Sequence, residues 1–265
     1  MKTIVCPTDF SEIANNALEY ACYLAKSLNA EIIVAHAQHV PIIDPAAPVN
    51  AMSAMLEEAL EQANEKLTNL AGRYTLMTGV AIKTQASVGL LVDVIHQMHQ
   101  EKSVDMIVMG TKGATNAVSK WIGTTAASII QRCQLPVLII PENSDFELWN
   151  KVAFATDFSQ EDEATLGLFE DFMGHFKTEV HMVHVSKSKV NSEEMLRVIK
   201  HYEGKAIVEN VVGADVVEEL NRYVGNNDIG VLGMKRHHRG FFDSLFHKSI
   251  TKEMAMTTKT PILIF

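Results

Sequence analysis

Ile4–Ser11 reads IVCPTDFS and Val152–Ser159 reads VAFATDFS, so one stretch occurs twice in the 265 residues. Working outward from each copy, EIIVAHA (Glu31–Ala37) is answered by EVHMVHV (Glu179–Val185), and Asp9 to His36 spans 27 positions, as does Asp157 to His184. DMIVMG (Asp105–Gly110) aligns with DIGVLG (Asp228–Gly233), and LPVLII (Leu135–Ile140) with TPILIF (Thr260–Phe265). Four landmarks in the same order indicate an internal repeat, which must be found before any element is assigned. The polar, turn-prone PENSDFELWN at Pro141–Asn150 marks the boundary, giving domains 1–143 and 149–265.

Within each half, short apolar runs alternate with longer helical patterns. TIVCP has the length and β-branched content of a buried strand. Ser11 is placed to cap a helix whose Ala14, Ala17, Leu18, Ala21, Ala25 and Leu28 share one stripe. EIIVAHA follows as a strand, then a helix over about Asn50–Ala71, the strand AIKTQAS, the helix VDVIHQMHQ, the strand DMIVMG, the helix TTAASIIQRC and the strand PVLII. Strands that lack side-to-side alternation and are separated by helices imply a parallel sheet covered on both faces. The expected fold is therefore α/β: two tandem doubly wound domains, each with a five-stranded parallel sheet, related by a pseudo-two-fold axis. His36 to Gly89 spans 53 positions but His184 to Gly213 only 29, so the second half is trimmed after its second strand.

Charge and composition remove several classes of function. Residues 1–145 carry 9 basic and 14 acidic side chains and the rest 14 and 18, so neither half offers the basic footprint of a nucleic-acid binder. Cys6, Cys22 and Cys133 are an odd number without metal spacing, which suits a reducing cytoplasm. No signal-peptide pattern opens the sequence and no apolar run is long enough to cross a bilayer, so the expectation is a cytoplasmic protein with no membrane partner.

In open parallel sheets, ligands bind beyond the carboxyl ends of the strands. Gly110-Thr-Lys-Gly113 leaves such an end, and Gly123-Thr124-Thr125 opens the following helix. Glycines let backbone N–H groups approach a ligand closely, and a helix start favours an anion. The residues by themselves point to an anion cradle.

The spacing G-x2-G-x9-G-[ST] at Gly110, Gly113, Gly123 and Thr124 resembles the ATP-binding signature of the universal stress protein family. Asp9 after the first strand, the strand ending His36-Ala37 and the Pro136-led last strand extend the likeness over both halves. The resemblance implies that Asp9 contacts the adenine or ribose with Pro7 and Thr8 beside it. It also implies that the Ala37 backbone meets the adenine edge and that Met109 flanks the nucleoside. Gly110, Thr111, Lys112, Gly113, Gly123, Thr124 and Thr125 would hold the phosphates of ATP, ADP or AMP, with accompanying Mg2+ left open. It further implies that the terminal strands pair between the halves, and it leaves homodimerisation of the whole chain open.

The second half departs from this pattern. Matching Gly110 to Gly233 sets Arg236 against Gly113 and makes the following connection two residues longer. Lys248 and Ser249 stand where Gly123 and Thr124 open the helix, so this half is not expected to bind ATP in the same way. Lys235, Arg236, His237, His238 and Arg239 form either a new anion site or a solvated, partner-docking loop. No zinc pattern, P-loop or nucleophile elbow occurs, so no metal ligand and no catalytic residue is assigned. The leading expectation is an ATP-binding stress-response sensor or regulator; a slow ATPase and a nucleotide-free interaction scaffold are the alternatives.

Overall fold

A computed structural model describes residues 3–38, 49–102, 104–111, 123–142, 144–157, 163–188, 193–236, 254 and 258–265. The described residues before Pro136 cluster into one compact unit, and Pro136–Phe265 into a second.

In the first unit β1 (Thr3–Pro7) is buried throughout, as its unbroken apolar run requires. β2 (Glu31–Gln38) pairs parallel with it from Thr3 opposite Glu31 to Pro7 opposite Ala35. β3 (Ile82–Val88) lies parallel on the far side of β2, and β4 (Met106–Gly110) pairs parallel with the other edge of β1. The order is β3-β2-β1-β4. The chain moves outward from β1 to β3 and then returns to the opposite side of β1. That reversal opens a crevice at the carboxyl ends of β1 and β4.

Helix α1 (Glu12–Leu28) begins where the Ser11 hydroxyl accepts the Ala14 N–H at 3.2 Å, and it ends at Asn29 in a left-handed conformation, φ 50°. α2 (Val49–Thr78) packs on β2, β3 and α1. α3 (Leu91–Lys102) packs on β1, β2 and α4 (Thr124–Arg132). The helices thus associate as α1 with α2 and α3 with α4, the two layers of a doubly wound sheet.

The second unit repeats the order. β6 (Lys151–Ala155), β7 (Glu179–Ser186) and β8 (Ile207–Val212) run outward, and β9 (Val231–Met234) and β10 (Ile262–Ile264) lie on the other side of β6, all parallel. β5 (Val137–Ile140) joins this unit by pairing antiparallel with β10, Leu138 opposite Leu263. Its four side chains are all buried, and an apolar edge of this kind demands a partner. α5 (Glu163–Met173) brings Phe169 against Phe154 at 5.1 Å between ring centroids. α6 (Glu193–Tyr202) has ten residues where α2 has thirty, the trimming that the sequence spacing requires. Asp215 caps α7 (Val216–Asn226), accepting the N–H groups of Val217 and Glu218 at 2.9 and 3.1 Å.

Candidate functional site

The segment after β1 is held by its own side chains. The Thr8 N–H donates to the Ala35 carbonyl at 2.8 Å, which ties Pro7, Thr8 and Asp9 to β2. The Thr8 hydroxyl accepts the Phe10 N–H at 2.9 Å, and the exposed Asp9 carboxylate accepts the Ser11 N–H at 3.1 Å. Between them Phe10 sits at φ 65°, a conformation uncommon for a bulky side chain and one that clusters at ligand sites. His36 closes the arrangement: its Nδ1 lies 2.8 Å from the Thr8 carbonyl, which can only accept, so the proton is on Nδ1. His184 makes the same 2.8 Å bond to the Thr156 carbonyl. The equal Asp-to-His spacing in both halves thus reflects a structural tie.

The sequence did not single out Phe10 or Lys66. The Phe10 ring lies 4.8 Å from that of His36, and Lys66 of α2 extends its Nζ to 5.6 Å from the Phe10 centroid. The repeated TDFS was the available signal for Phe10. Lys66 had none, because its contact spans 56 positions of chain.

Across the crevice, Met109 and Gly110 end β4, with Met109 buried. A Cβ on Gly110 would stand 2.6 Å from Ile13 Cγ2 and 3.2 Å from the Ile13 carbonyl oxygen, so glycine is required there by close packing of α1. The Thr111 carbonyl accepts the Gly123 N–H at 2.8 Å, closing the connection between β4 and α4 at its base. Gly123 is the buried N-cap of α4, no side chain among the described residues caps the helix, and Thr124 and Thr125 are exposed. The first-turn N–H groups are therefore presented beside two hydroxyls, an arrangement suited to an anion. Ala37, half-buried near the end of β2, lies opposite Ser87. The structure thus gathers Pro7, Thr8, Asp9 and Ala37 at one wall and Met109, Gly110, Thr111, Gly123, Thr124 and Thr125 at the other. Lys112 and Gly113 lie outside the described residues.

Strand pairing corrects the alignment of the halves. Ile4 faces Met106, and its repeat partner Val152 faces Val231. The Thr3 carbonyl accepts from Asp105 at 3.0 Å and the Lys151 carbonyl from Gly230 at 2.9 Å. Asp105 therefore answers Gly230, and Gly110 answers Lys235, not Gly233. The glycine-to-glycine match was two residues out of register. Gly233 sits inside β9, where an added Cβ would meet Phe169 at 2.7 Å and Phe154 at 2.8 Å. Arg236 takes the place of Thr111, likewise buried, and donates its backbone N–H to the Phe265 carbonyl at 2.8 Å. In this register the two connections have equal length, and the Gly113 position falls on His238. His237, His238, Arg239, Lys248 and Ser249 lie outside the described residues.

Other chemistry-bearing residues are engaged elsewhere. His99 Nδ1 bonds the Val104 carbonyl at 2.8 Å, and buried His181 lies 2.6 Å from the Tyr223 hydroxyl and 3.0 Å from Glu179. Cys6, Cys22 and Cys133 are buried in the core and none is in a disulfide. Burial pushes the Cys22 thiol up to about 11, and Cys6 rises further for the same reason. Among the described residues no cluster of three His, Cys, Asp or Glu side chains could hold a metal ion, and no helix is long and apolar enough to cross a membrane.

Comparison with known proteins adds four findings. The universal stress protein family (Usp) matches residues 1–141. Universal stress protein MJ0531 of Methanocaldococcus jannaschii is 30% identical over 145 residues, covering 52% of this chain and 81% of that protein. Universal stress protein Slr1230 of Synechocystis is 25% identical over 291 residues, covering all of both chains. The crystal structure of a universal stress protein from Archaeoglobus fulgidus superposes with a TM-score of 0.77 at 18% identity, covering 99% of this chain and 95% of that one, a likeness of fold.

Proposed function

The chain belongs to the universal stress protein family, and we propose that its first half binds ATP, or ADP or AMP, at the β1–β4 switch point. In this reading domain 1–143 is the nucleotide-binding half and 149–265 a half whose motif has degenerated. The observation that carries it is the pairing of a tightly packed strand-end glycine, Gly110, with an α4 N-terminus that no side chain among the described residues caps. Phosphate oxygens would accept from the first-turn N–H groups and from Thr124 and Thr125, with Lys112 and Gly113 on the same connection. Asp9 would receive a ribose or adenine donor, flanked by Pro7 and Thr8, and the Ala37 backbone and Met109 would border the base.

The second half would not take the nucleotide in this way, since Lys235 and Arg236 replace Gly110 and Thr111. A glycine and a threonine at the strand end have become a pair of cationic side chains. The protein would then act in the cytoplasm as a stress-response sensor or regulator whose bound nucleotide biases its conformation or partners, with Mg2+ accompanying a triphosphate. The β5–β10 register supports pairing of the terminal strands of the two sequence halves as part of the same assembly.

Thermal unfolding with and without millimolar Mg·ATP tests the reading, in the natural chain and in Gly113→Arg. A ligand present at 100 times its Kd stabilises the native state by about 2.7 kcal/mol. A clear upward shift in the natural chain that the variant loses is the expected result. No shift with ATP, ADP or AMP would refute nucleotide binding and favour an interaction scaffold. Steady product formation in the same samples would instead identify an ATPase.

A further inference from the structure

β7 carries a histidine where the first unit has an aliphatic residue. Lys151 stands opposite Glu179 as Thr3 stands opposite Glu31, so His181 takes the place of Ile33. Ile33 faces Lys83 and His181 faces Ile207, so Glu209 takes the place of Gln85. Ile33 and His181 are both buried, and an apolar side chain therefore suffices for the fold at this position. A buried polar replacement is costly unless its polar atoms are partnered. Here they are. His181 Nδ1 lies 2.6 Å from the Tyr223 hydroxyl of α7, Nε2 lies 3.0 Å from the Glu179 carboxylate, and the same hydroxyl bonds Glu209 of β8. The elements packed on β7 here are β6, β8 and α7. Of their other charged groups, β6 brings Lys151 opposite Glu179, and on α7 Glu218 and Glu219 both pair with Arg222.

The series Glu209, Tyr223, His181, Glu179 is joined by three hydrogen bonds and so requires three protons. Two carboxylates supply none, the tyrosine hydroxyl one and a neutral imidazole one. The series is complete only with one proton more, when Tyr223 donates to Glu209 and both ring nitrogens donate. Burial raises the Tyr223 hydroxyl, so the phenol keeps its own proton. We propose that this network is a proton-dependent latch that fastens β8 to β7 and α7, closed with the third proton and open without it. Among the described residues β8 has β7 as its one partner strand, so the tie to α7 is a second anchor. When the third proton leaves to water, the Tyr223 hydroxyl turns to donate to Nδ1, and Nε2–H still donates to Glu179. Glu209 then faces a phenol oxygen with no proton between them. Being exposed, its carboxylate swings into water and the tie is lost. The closed latch holds one proton more than the open one, so rising pH favours opening. The effect reaches tenfold per pH unit above the ordinary imidazole value of about 6.5, and below it the opened ring is protonated too, so the slope vanishes. The latch owes nothing to nucleotide binding.

Amide hydrogen exchange of the full chain, corrected for intrinsic rates, reads the opening of β8 with β3 as internal reference. From about pH 6 to about pH 9 the ratio of β8 to β3 opening should rise by more than twofold, and by up to about tenfold per pH unit. Glu209→Gln is the sharper test, because a carboxamide brings the missing proton. Its NH2 group can donate to the Tyr223 oxygen while Tyr223 donates to Nδ1 of a neutral ring. In that variant β8 should stay closed across the whole range and the slope should vanish. Tyr223→Phe removes the middle of the series, so β8 should be open throughout, again without a slope. Should Tyr223→Phe fail to fold, Glu209→Gln, altered at an exposed position, decides alone. The proposal is overturned if the natural ratio stays constant within about twofold. It is equally overturned if the slope persists in either variant, or if Glu209→Gln leaves β8 open.

Discussion

Gly110→Ala is expected to destabilise the first unit by about 2 kcal/mol, the middle of the range for overpacking a close-packed site. The magnitude rests on one contact. The new Cβ would stand 2.6 Å from Ile13 Cγ2, whereas carbon atoms rest at about 3.5–4.0 Å, so a gap of about 1 Å must open. Ile13 has little room to yield. It is only 8% exposed, it lies in the first turn of a helix pinned by Ser11, and its β-branched side chain has one strongly preferred χ1 there. A double-mutant cycle isolates the clash. Ile13→Ala alone should cost about 2–4 kcal/mol, since a buried isoleucine is truncated. It also removes Cγ2, so Gly110→Ala should cost less in that background, with a coupling of about 1 kcal/mol. The coupling is incomplete because the Ile13 carbonyl oxygen, 3.2 Å from the added carbon, remains. Ile13→Val keeps Cγ2 and should leave the full cost in place. Urea unfolding followed by circular dichroism reads all four corners. An equal cost of Gly110→Ala in the isoleucine and alanine backgrounds would refute this packing account, as would a cost below about 0.5 kcal/mol in the natural chain.

Gly233→Ala should cost about 1–3 kcal/mol through its contacts with buried Phe154 and Phe169. It should leave any nucleotide-induced thermal shift intact, because Gly233 is a packing residue. Ser11→Ala should lose about 1 kcal/mol by removing the α1 cap, and Asp215→Ala a similar amount at α7, both measured by chemical denaturation. The folded chain holds the Cys22 thiol protonated up to about 11 against an ordinary 9.0, so the unfolded chain ionises first as pH rises. Stability should then fall between pH 9 and 11, by at most about 1.4 kcal/mol per pH unit for this group. Below pH 9 this group should contribute no slope, and Cys22→Ala should flatten the alkaline limb. A limb of unchanged steepness in that variant would locate the effect elsewhere. All three thiols should resist a thiol reagent until the chain unfolds, because each is buried.

The repeat, the α/β alternation, the order of elements and the trimmed second half are all written in the sequence, because each rests on local strings or on spacing along the chain. The walls of the candidate site were legible for the same reason: strand ends and a helix-opening Gly123-Thr124 are local features, and Ser11 and its capped helix lie together. Tertiary structure decided what depends on pairing between distant segments. Residue types could not say that Gly110 is matched by Lys235, since a glycine crowded by Ile13 and a glycine crowded by two phenylalanines look alike until β4 is set against β1 and β9 against β6. Nor could they join Lys66 to Phe10 or His181 to Tyr223, contacts made by residues that only folding brings together. Periodicity along the chain fixes which face a side chain takes, but register across strands fixes which residue it meets.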